Sequence, residues 1–262
     1  MINKNALLSD IIAIKSQSPL IHNTTNFVVM NNTANALLAL GASPVMAHAV
    51  EEVSEMASLA STLLINMGTL SSTWVEAMVL AGTTAEERGI PCVLDPVGVG
   101  ATSYRTQTCK QLIKLCKPVV IRGNASEIRA LVETNIQTKG VDSTDSSASA
   151  LEAAKSLALQ TGAVVSVSGE IDYITDGVKV NEVIGGSAMM ERVTGMGCSA
   201  TAITAAFIAV NKDALQAATH AMELMSLMGG MAARVARGPG SLQLNFLDNL
   251  YQAEELVKAE DL

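Results

Sequence analysis

Charged side chains make up only 16% of this 262-residue sequence and aromatic ones only 3%, so its core has to be built from Ala, Val, Ile, Leu and 13 Met. That composition suits helices packed on a buried sheet. Basic charge is the scarcer sign, with 17 Lys and Arg against 25 Asp and Glu and a net charge of −8. No Lys/Arg cluster offers a surface to neutralise a phosphate backbone, which excludes nucleic acid as an expected partner. The four cysteines, Cys92, Cys109, Cys116 and Cys198, show no Cys-x-x-Cys spacing and the three histidines are scattered, so a structural zinc site has no support. They read as reduced thiols of a cytosolic protein. No apolar core follows a basic segment at the N-terminus, because residues 11–14 are broken by Asp10 and Lys15. The apolar run 199–210 is about a dozen residues, too short for a bilayer and suited to a buried helix. A soluble cytoplasmic protein without membrane contact is the expectation.

What is present is a chain of short apolar runs alternating with helical stretches. The strand-type runs are 20–21, 44–46, 63–65, 92–94, 119–121 and 164–167. Between them, 31–40, 72–88, 106–115 and 148–160 carry helical spacing with capping residues at their ends. This alternation predicts an α/β layered fold with a largely parallel sheet, in one domain over 1–262. Residues 173–175 and 179–182, separated by Asp176-Gly177, predict a hairpin at the sheet edge. The last quarter has no strand signal, and helices are expected at 198–210, 215–236 and 242–257. The Ser/Thr/Asp-rich stretch 140–149 reads as a mobile loop, and no internal repeat is present.

The stretch Val193-Thr194-Gly195-Met196-Gly197-Cys198 opens directly onto the apolar helix, so Gly195 and Gly197 can aim backbone N–H groups at an anion. Polar residues also cluster where strands end, at Asn66-Met67-Gly68-Thr69, Asp95-Pro96-Val97-Gly98, Arg122-Gly123-Asn124 and Ser168-Gly169-Glu170. In an open α/β sheet such ends converge on one crevice. Asp95 reads either as a turn residue before Pro96 or as a carboxylate aimed at a metal-bound phosphate. Asn124 and Glu127 have capping-box spacing, and Glu127 beside Arg122 also suits a hydrated Mg²⁺ with the guanidinium on nucleotide phosphates. Both roles can coexist.

Together these motifs resemble the hydroxyethylthiazole kinase family of the ribokinase-like superfamily. The resemblance rests on Asp95-Pro96-Val97-Gly98 with Gly100-Ala101, the stretch from Arg122 to Ile128, and Thr194-Gly195-x-Gly197-Cys198. Thr25-Asn26-Phe27-Val28-Val29, Thr33-Ala34-Asn35, Gly41-Ala42-Ser43-Pro44-Val45-Met46 and Gly238-Pro239-Gly240-Ser241 carry it over nearly the whole chain. It implies a ribokinase-like three-layer fold and Mg²⁺-dependent phosphorylation, by ATP, of the hydroxyl of 4-methyl-5-(2-hydroxyethyl)thiazole, a thiamine salvage step. It further implies ATP contacts at Arg122 and Ser168, a thiazole site lined by Met46, Gly195 and Asn26, and metal-side carboxylates at Asp95 and Glu127. The anion hole falls to Gly195 and Gly197, the catalytic position to Cys198, and the assembly to a homotrimer.

Two positions leave alternatives. Met196 stands where this family usually has Thr or Ala, and either crowds the anion hole or points into the core. Cys198 stands where sugar kinases of the superfamily carry an aspartate base. Its place at a helix N-terminus predicts a lowered thiol pKa, and it serves either as proton acceptor or as a bystander to a reaction governed by positioning. Rival readings are a kinase of another small heterocyclic alcohol and a nucleotide-binding module without turnover.

Overall fold

The structure, a computed structural model, describes residues 3–133 and 147–260. The first part of the chain runs α1 (Lys4–Gln17), β1 (Leu20–Thr24), α2 (Met30–Leu40), β2 (Ser43–Val45), α3 (Val53–Leu59), β3 (Thr62–Asn66), α4 (Ser72–Arg88) and β4 (Cys92–Asp95). It continues through α5 (Ser103–Cys116), β5 (Val120–Asn124), α6 (Ala125–Val132), α7 (Leu151–Thr161), β6 (Val164–Ser168), β7 (Ile171–Thr175) and β8 (Val180–Ile184). Four helices close it: α8 (Met196–Val210), α9 (Ala214–Val235), α10 (Pro239–Tyr251) and α11 (Ala253–Ala259).

The eight strands form one sheet in the order β2-β1-β3-β4-β5-β6-β7-β8. Pairing is parallel from β2 to β6 and antiparallel for β7 and β8, which form the expected hairpin at the edge. Alternation along the central strands makes the three layers. Leu64, Val93, Val120 and Val164 face a core shared with α1, α2, α8, α9, α10 and α11. Their neighbours Leu63, Ile65, Leu94, Ile121 and Val165 face a second core with α3 to α7. Every residue of β3 is buried, as a strand covered on both faces requires. Parallel pairing leaves all of β3, β4, β5 and β6 ending at the same side, where the polar residues lie.

Several boundaries differ from those expected. Residues 11–14 belong to α1, because Leu7, Ile11 and Ile14 share one buried face while Asp10 and Lys15 fall elsewhere on the turn. The helix expected over 242–257 is two, starting earlier at Pro239 and divided at Gln252, which closes α10 and opens α11. Thr102 caps α5, so that helix begins at Ser103 instead of residue 106. Of the loop expected over 140–149, residues 140–146 lie outside the described residues, and Ser147–Ala150 form a 3₁₀ turn.

Candidate active site

The register of β3 and β4 sets Asn66 beside Asp95. Asn66 Nδ2 donates to Asp95 Oδ2 at 2.8 Å, and Thr201 Oγ1, from α8, donates to the same oxygen at 2.8 Å. Asn26, in the turn after β1, donates from Nδ2 to Asn66 Oδ1 at 2.7 Å and lies 3.8 Å from Cys198 Sγ. Asn26, Asp95 and Cys198 therefore meet in one hydrogen-bonded group. Burial pushes the Asp95 carboxyl up to about 6, against the pull of Arg122, Thr201 and Asn66.

The expected lowering of the Cys198 thiol is overturned. Burial and then the charge of Asp95 push it up to about 12, and Asn66, Arg122 and Asn26 offset only part of this. A low-dielectric surround and a neighbouring carboxylate both disfavour the thiolate, and they outweigh the helix terminus. Cys198 is a neutral thiol in this setting.

Across the crevice, Arg122 on β5 is 8% exposed and donates from Nη1 to the carbonyl of Gly197 at 3.0 Å. Its Nε is buried without a hydrogen-bond partner among the described residues, a costly state that an anion would relieve. Ser168 ends β6 opposite Asn124, and among the described residues its hydroxyl makes only a long 3.5 Å contact to Gly123 O. Glu127 completes a capping box: its Oε2 accepts from Asn124 N at 2.9 Å while its own N–H donates to Asn124 Oδ1 at 3.0 Å. Its Oε1 accepts from Gly98 N at 2.8 Å. Even so, burial and the nearby Asp95 push Glu127 up to about 7.

Two buried carboxylates, one of which raises the other, are suited to a divalent cation, which would remove their repulsion. Both Glu127 oxygens already accept a backbone N–H, which favours contact through water over direct ligation. Among the described residues no group of three or more His, Cys, Asp and Glu can hold a metal alone. That donor set fits Mg²⁺, which keeps its waters and takes one or two carboxylates with substrate phosphates.

Gly195 precedes α8 with φ 86°, Met196 N–H donates back to Val193 O at 3.3 Å, and among the described residues no side chain caps the helix, which leaves the amides of Gly197 and Cys198 as donors for an anion. A Cβ at Gly195 would lie 2.9 Å from Val29 Cγ1. Gly197 is exposed. Met196 is buried as part of the core, the second of its two expected placements. Met46 lies at the edge of the sheet, at the carboxyl end of a strand parallel to β1. It follows edge strand β2, on the far side of β1 from Asn66, and its carbonyl accepts from His48 Nδ1 at 3.0 Å.

The sequence marks Asn66 only within a polar strand end and gives Thr201 no role of its own, although the geometry makes both direct partners of Asp95. Thr201 has a readable signal, since it lies three residues after Cys198 on one helix and thus on its face. Asn66 had only its place at a strand end.

A family model described as "Hydroxyethylthiazole kinase family" matches residues 11–255. A hydroxyethylthiazole kinase of Syntrophus aciditrophicus (strain SB) is 55% identical over 245 residues, covering 93% of this chain and 90% of the relative. One of Nitratidesulfovibrio vulgaris (strain DP4) is 51% identical over 261 residues, covering 100% of this chain and 97% of its own. The solved structure of a hydroxyethylthiazole kinase protein from Pyrococcus horikoshii OT3 superposes with a TM-score of 0.88 at 39% identity, covering 98% of this chain and 97% of that one. A ribokinase-like superfamily protein from Enterococcus faecalis V583 shares the fold, with a TM-score of 0.67 at 16% identity over 98% of this chain and 95% of that one. With a ribokinase-like architecture and a family match over almost its whole length, this chain belongs to the hydroxyethylthiazole kinase family.

Proposed function

We propose that this protein phosphorylates the primary hydroxyl of 4-methyl-5-(2-hydroxyethyl)thiazole with Mg·ATP, a salvage step of thiamine biosynthesis, as one kinase domain over 1–262. The observation that carries the reading is the convergence of Asp95, Arg122, Glu127 and the uncapped start of α8 at one end of the sheet. Phosphoryl transfer needs a site that gathers positive charge and donors around the moving phosphoryl group. Arg122, with its free Nε, serves the phosphates together with the Ser168 hydroxyl, and the N–H groups at Gly195 and Gly197 take the transferred group. Asn26, Met46 and Gly195 serve the thiazole. Mg²⁺, when bound, offsets the phosphate charge, and Asp95 and Glu127 are the residues that would hold it.

The substrate hydroxyl oxygen bonds the γ-phosphorus as the bond from that phosphorus to the ADP oxygen breaks, and the hydroxyl proton passes to solvent water. Cys198, a neutral thiol beside Asn26, acts by its position at the start of α8 more than as a strong base. Incubation with the thiazole alcohol and Mg·ATP should yield ADP and the phosphorylated thiazole by mass spectrometry. Absence of that product at saturating substrates would sink the reading, and a panel of other heterocyclic alcohols would define its selectivity.

The reading extends to a cytoplasmic homotrimer. Phe27 and Val28 are 63% and 62% exposed beside Asn26, an apolar edge at the site that a second copy would cover. Light scattering on the eluting protein should return three times the chain mass. Among the described residues no helix is long and apolar enough to cross a membrane.

A further inference from the structure

Arg105 takes no part in the site as described, yet its guanidinium is spent entirely on the loops that build it. It lies in the first turn of α5, where its N–H donates to the capping Thr102 Oγ1 at 3.2 Å. Nη1 donates to the carbonyls of Met67 at 2.7 Å and Val97 at 2.8 Å, and Nη2 donates to the carbonyl of Gly68 at 2.7 Å. One cation thus grips the turn after β3 and the turn after β4.

Two of those carbonyls belong to peptide groups whose other end faces the site. The peptide joining Val97 to Gly98 accepts from Arg105 at its oxygen and donates from Gly98 N–H to Glu127 Oε1 at 2.8 Å. The peptide joining Met67 to Gly68 accepts from Arg105 and donates from Gly68 N–H to Asn66 Oδ1 at 3.0 Å; Asn66 in turn donates to Asp95. A trans peptide is planar with its C=O and N–H opposed, so holding the oxygen aims the hydrogen. Hydrogen bonds in series also polarise one another. Gly98 permits this arrangement twice over: its φ of 74° is left-handed, and a Cβ there would come within 3.3 Å of Arg105 Cδ.

We propose that Arg105 is a positioning residue of the reaction, which through these two peptide groups orients Glu127 on one side and the Asn66–Asp95 pair on the other without touching either substrate. The proposal rests on Asp95 and Glu127 being the metal-side carboxylates. Lysine at this position keeps the charge, but its ammonium lacks the planar fork that reaches three carbonyls, so Arg105→Lys separates charge from geometry.

The test compares wild type, Arg105→Lys and Glu127→Gln as full-length proteins. Arg105→Lys should melt near the wild-type temperature, with kcat reduced about 10- to 100-fold, as for other groups that orient metal-side ligands. Its KM for the thiazole alcohol should be unchanged and its Mg²⁺ requirement raised. In the ligand-free protein, hydrogen exchange should quicken at the amides of Gly68 and Gly98. Wild-type kcat and Mg²⁺ requirement in Arg105→Lys would overturn the proposal, as would unaltered exchange at those amides. If the lysine variant fails to fold, Arg105→Ala supplied with guanidinium decides: restored kcat supports the proposal and no restoration refutes it. Glu127→Gln separates the two layers of the argument. An unchanged Mg²⁺ requirement there removes the metal reading, while exchange at Gly68 and Gly98 still judges the positioning role.

Discussion

Helix α6 begins with a complete capping box, Asn124 and Glu127 closing each other's N–H groups at 3.0 and 2.9 Å, whereas α8 starts at the same side of the sheet from Gly195 with no capping side chain. Each terminus presents the positive end of a helix to the crevice. In α6 the chain's own carboxylate meets that need, so Glu127 is anchored and its charge stays where the fold puts it. In α8 no side chain among the described residues does this, and beyond Met196 the first-turn amides stay open to a ligand. The contrast teaches that a cap and an anion site are alternative fillings of one kind of vacancy, and that a sequence chooses between them with a few residues.

The largest effect should come from Glu127→Gln, which keeps the cap's acceptor and removes the charge. Steady-state turnover should fall about 100-fold, comparable to losing one pre-placed electrostatic group. Melting temperature should shift little, because removal of the buried charge is offset by setting the new Nε2 donor against one of the two backbone N–H groups, of Asn124 or Gly98, that the carboxylate accepts. The same variant tests the pKa. In the folded protein Glu127 titrates near 7 against an ordinary 4.5, so the folded state binds more protons between those values. The contribution of Glu127 to the stability of the ligand-free wild type should be full below about 4.5 and decline as pH rises through 7, with Asp95 adding its own decline up to about 6. Melting curves of Glu127→Gln across that window should be flatter; an identical slope would mean that the carboxylate does not carry the raised pKa.

Arg122→Ala stands close to it, at about 10- to 150-fold. Loss of a charge-assisted phosphate contact should cost about 1.5 to 3 kcal/mol in kcat/KM for ATP. Unchanged nucleotide kinetics would place Arg122 outside the reaction. Gly195→Ala attacks the open terminus itself: a left-handed φ and a Cβ 2.9 Å from Val29 should lower stability by about 1 to 2 kcal/mol, read by denaturant unfolding. The smallest effect is expected at Cys198. A thiol held near 12 is poorly suited to accept protons at neutral pH, so Cys198→Ala should keep activity well above the roughly 100-fold loss of a needed base. Cys198→Asp should remain active too. A folded but inactive alanine variant beside an active aspartate one would make Cys198 an obligatory base.

Much of this arrangement could be read from the chain. The polar clusters at Asn66, Asp95, Arg122 and Ser168 sit at strand ends because a run of apolar residues followed by a turn leaves little else to be, and the Asn124/Glu127 spacing named its own cap. The buried stripe of α1 was obscured by Asp10 and Lys15, although an interval of three or four residues between Leu7, Ile11 and Ile14 carries it. Arg105 gave no signal at all, since its partners are carbonyls of Met67, Gly68 and Val97 and any sequence supplies those.

Local pattern determined the alternation of strand and helix, the parallel sheet with its edge hairpin, and the residues that gather at its carboxyl ends, because side-chain periodicity and turn chemistry act over a few residues. Tertiary structure alone decided the protonation of Cys198, which depends on burial and on Asp95, 103 residues earlier in the chain, brought close by the packing of α8 over β3 and β4. It likewise decided that Met196 turns into the core and that Arg105 ties two loops together. Desolvation and long-range hydrogen bonds depend on which segments meet in space, and no short window of sequence holds that information.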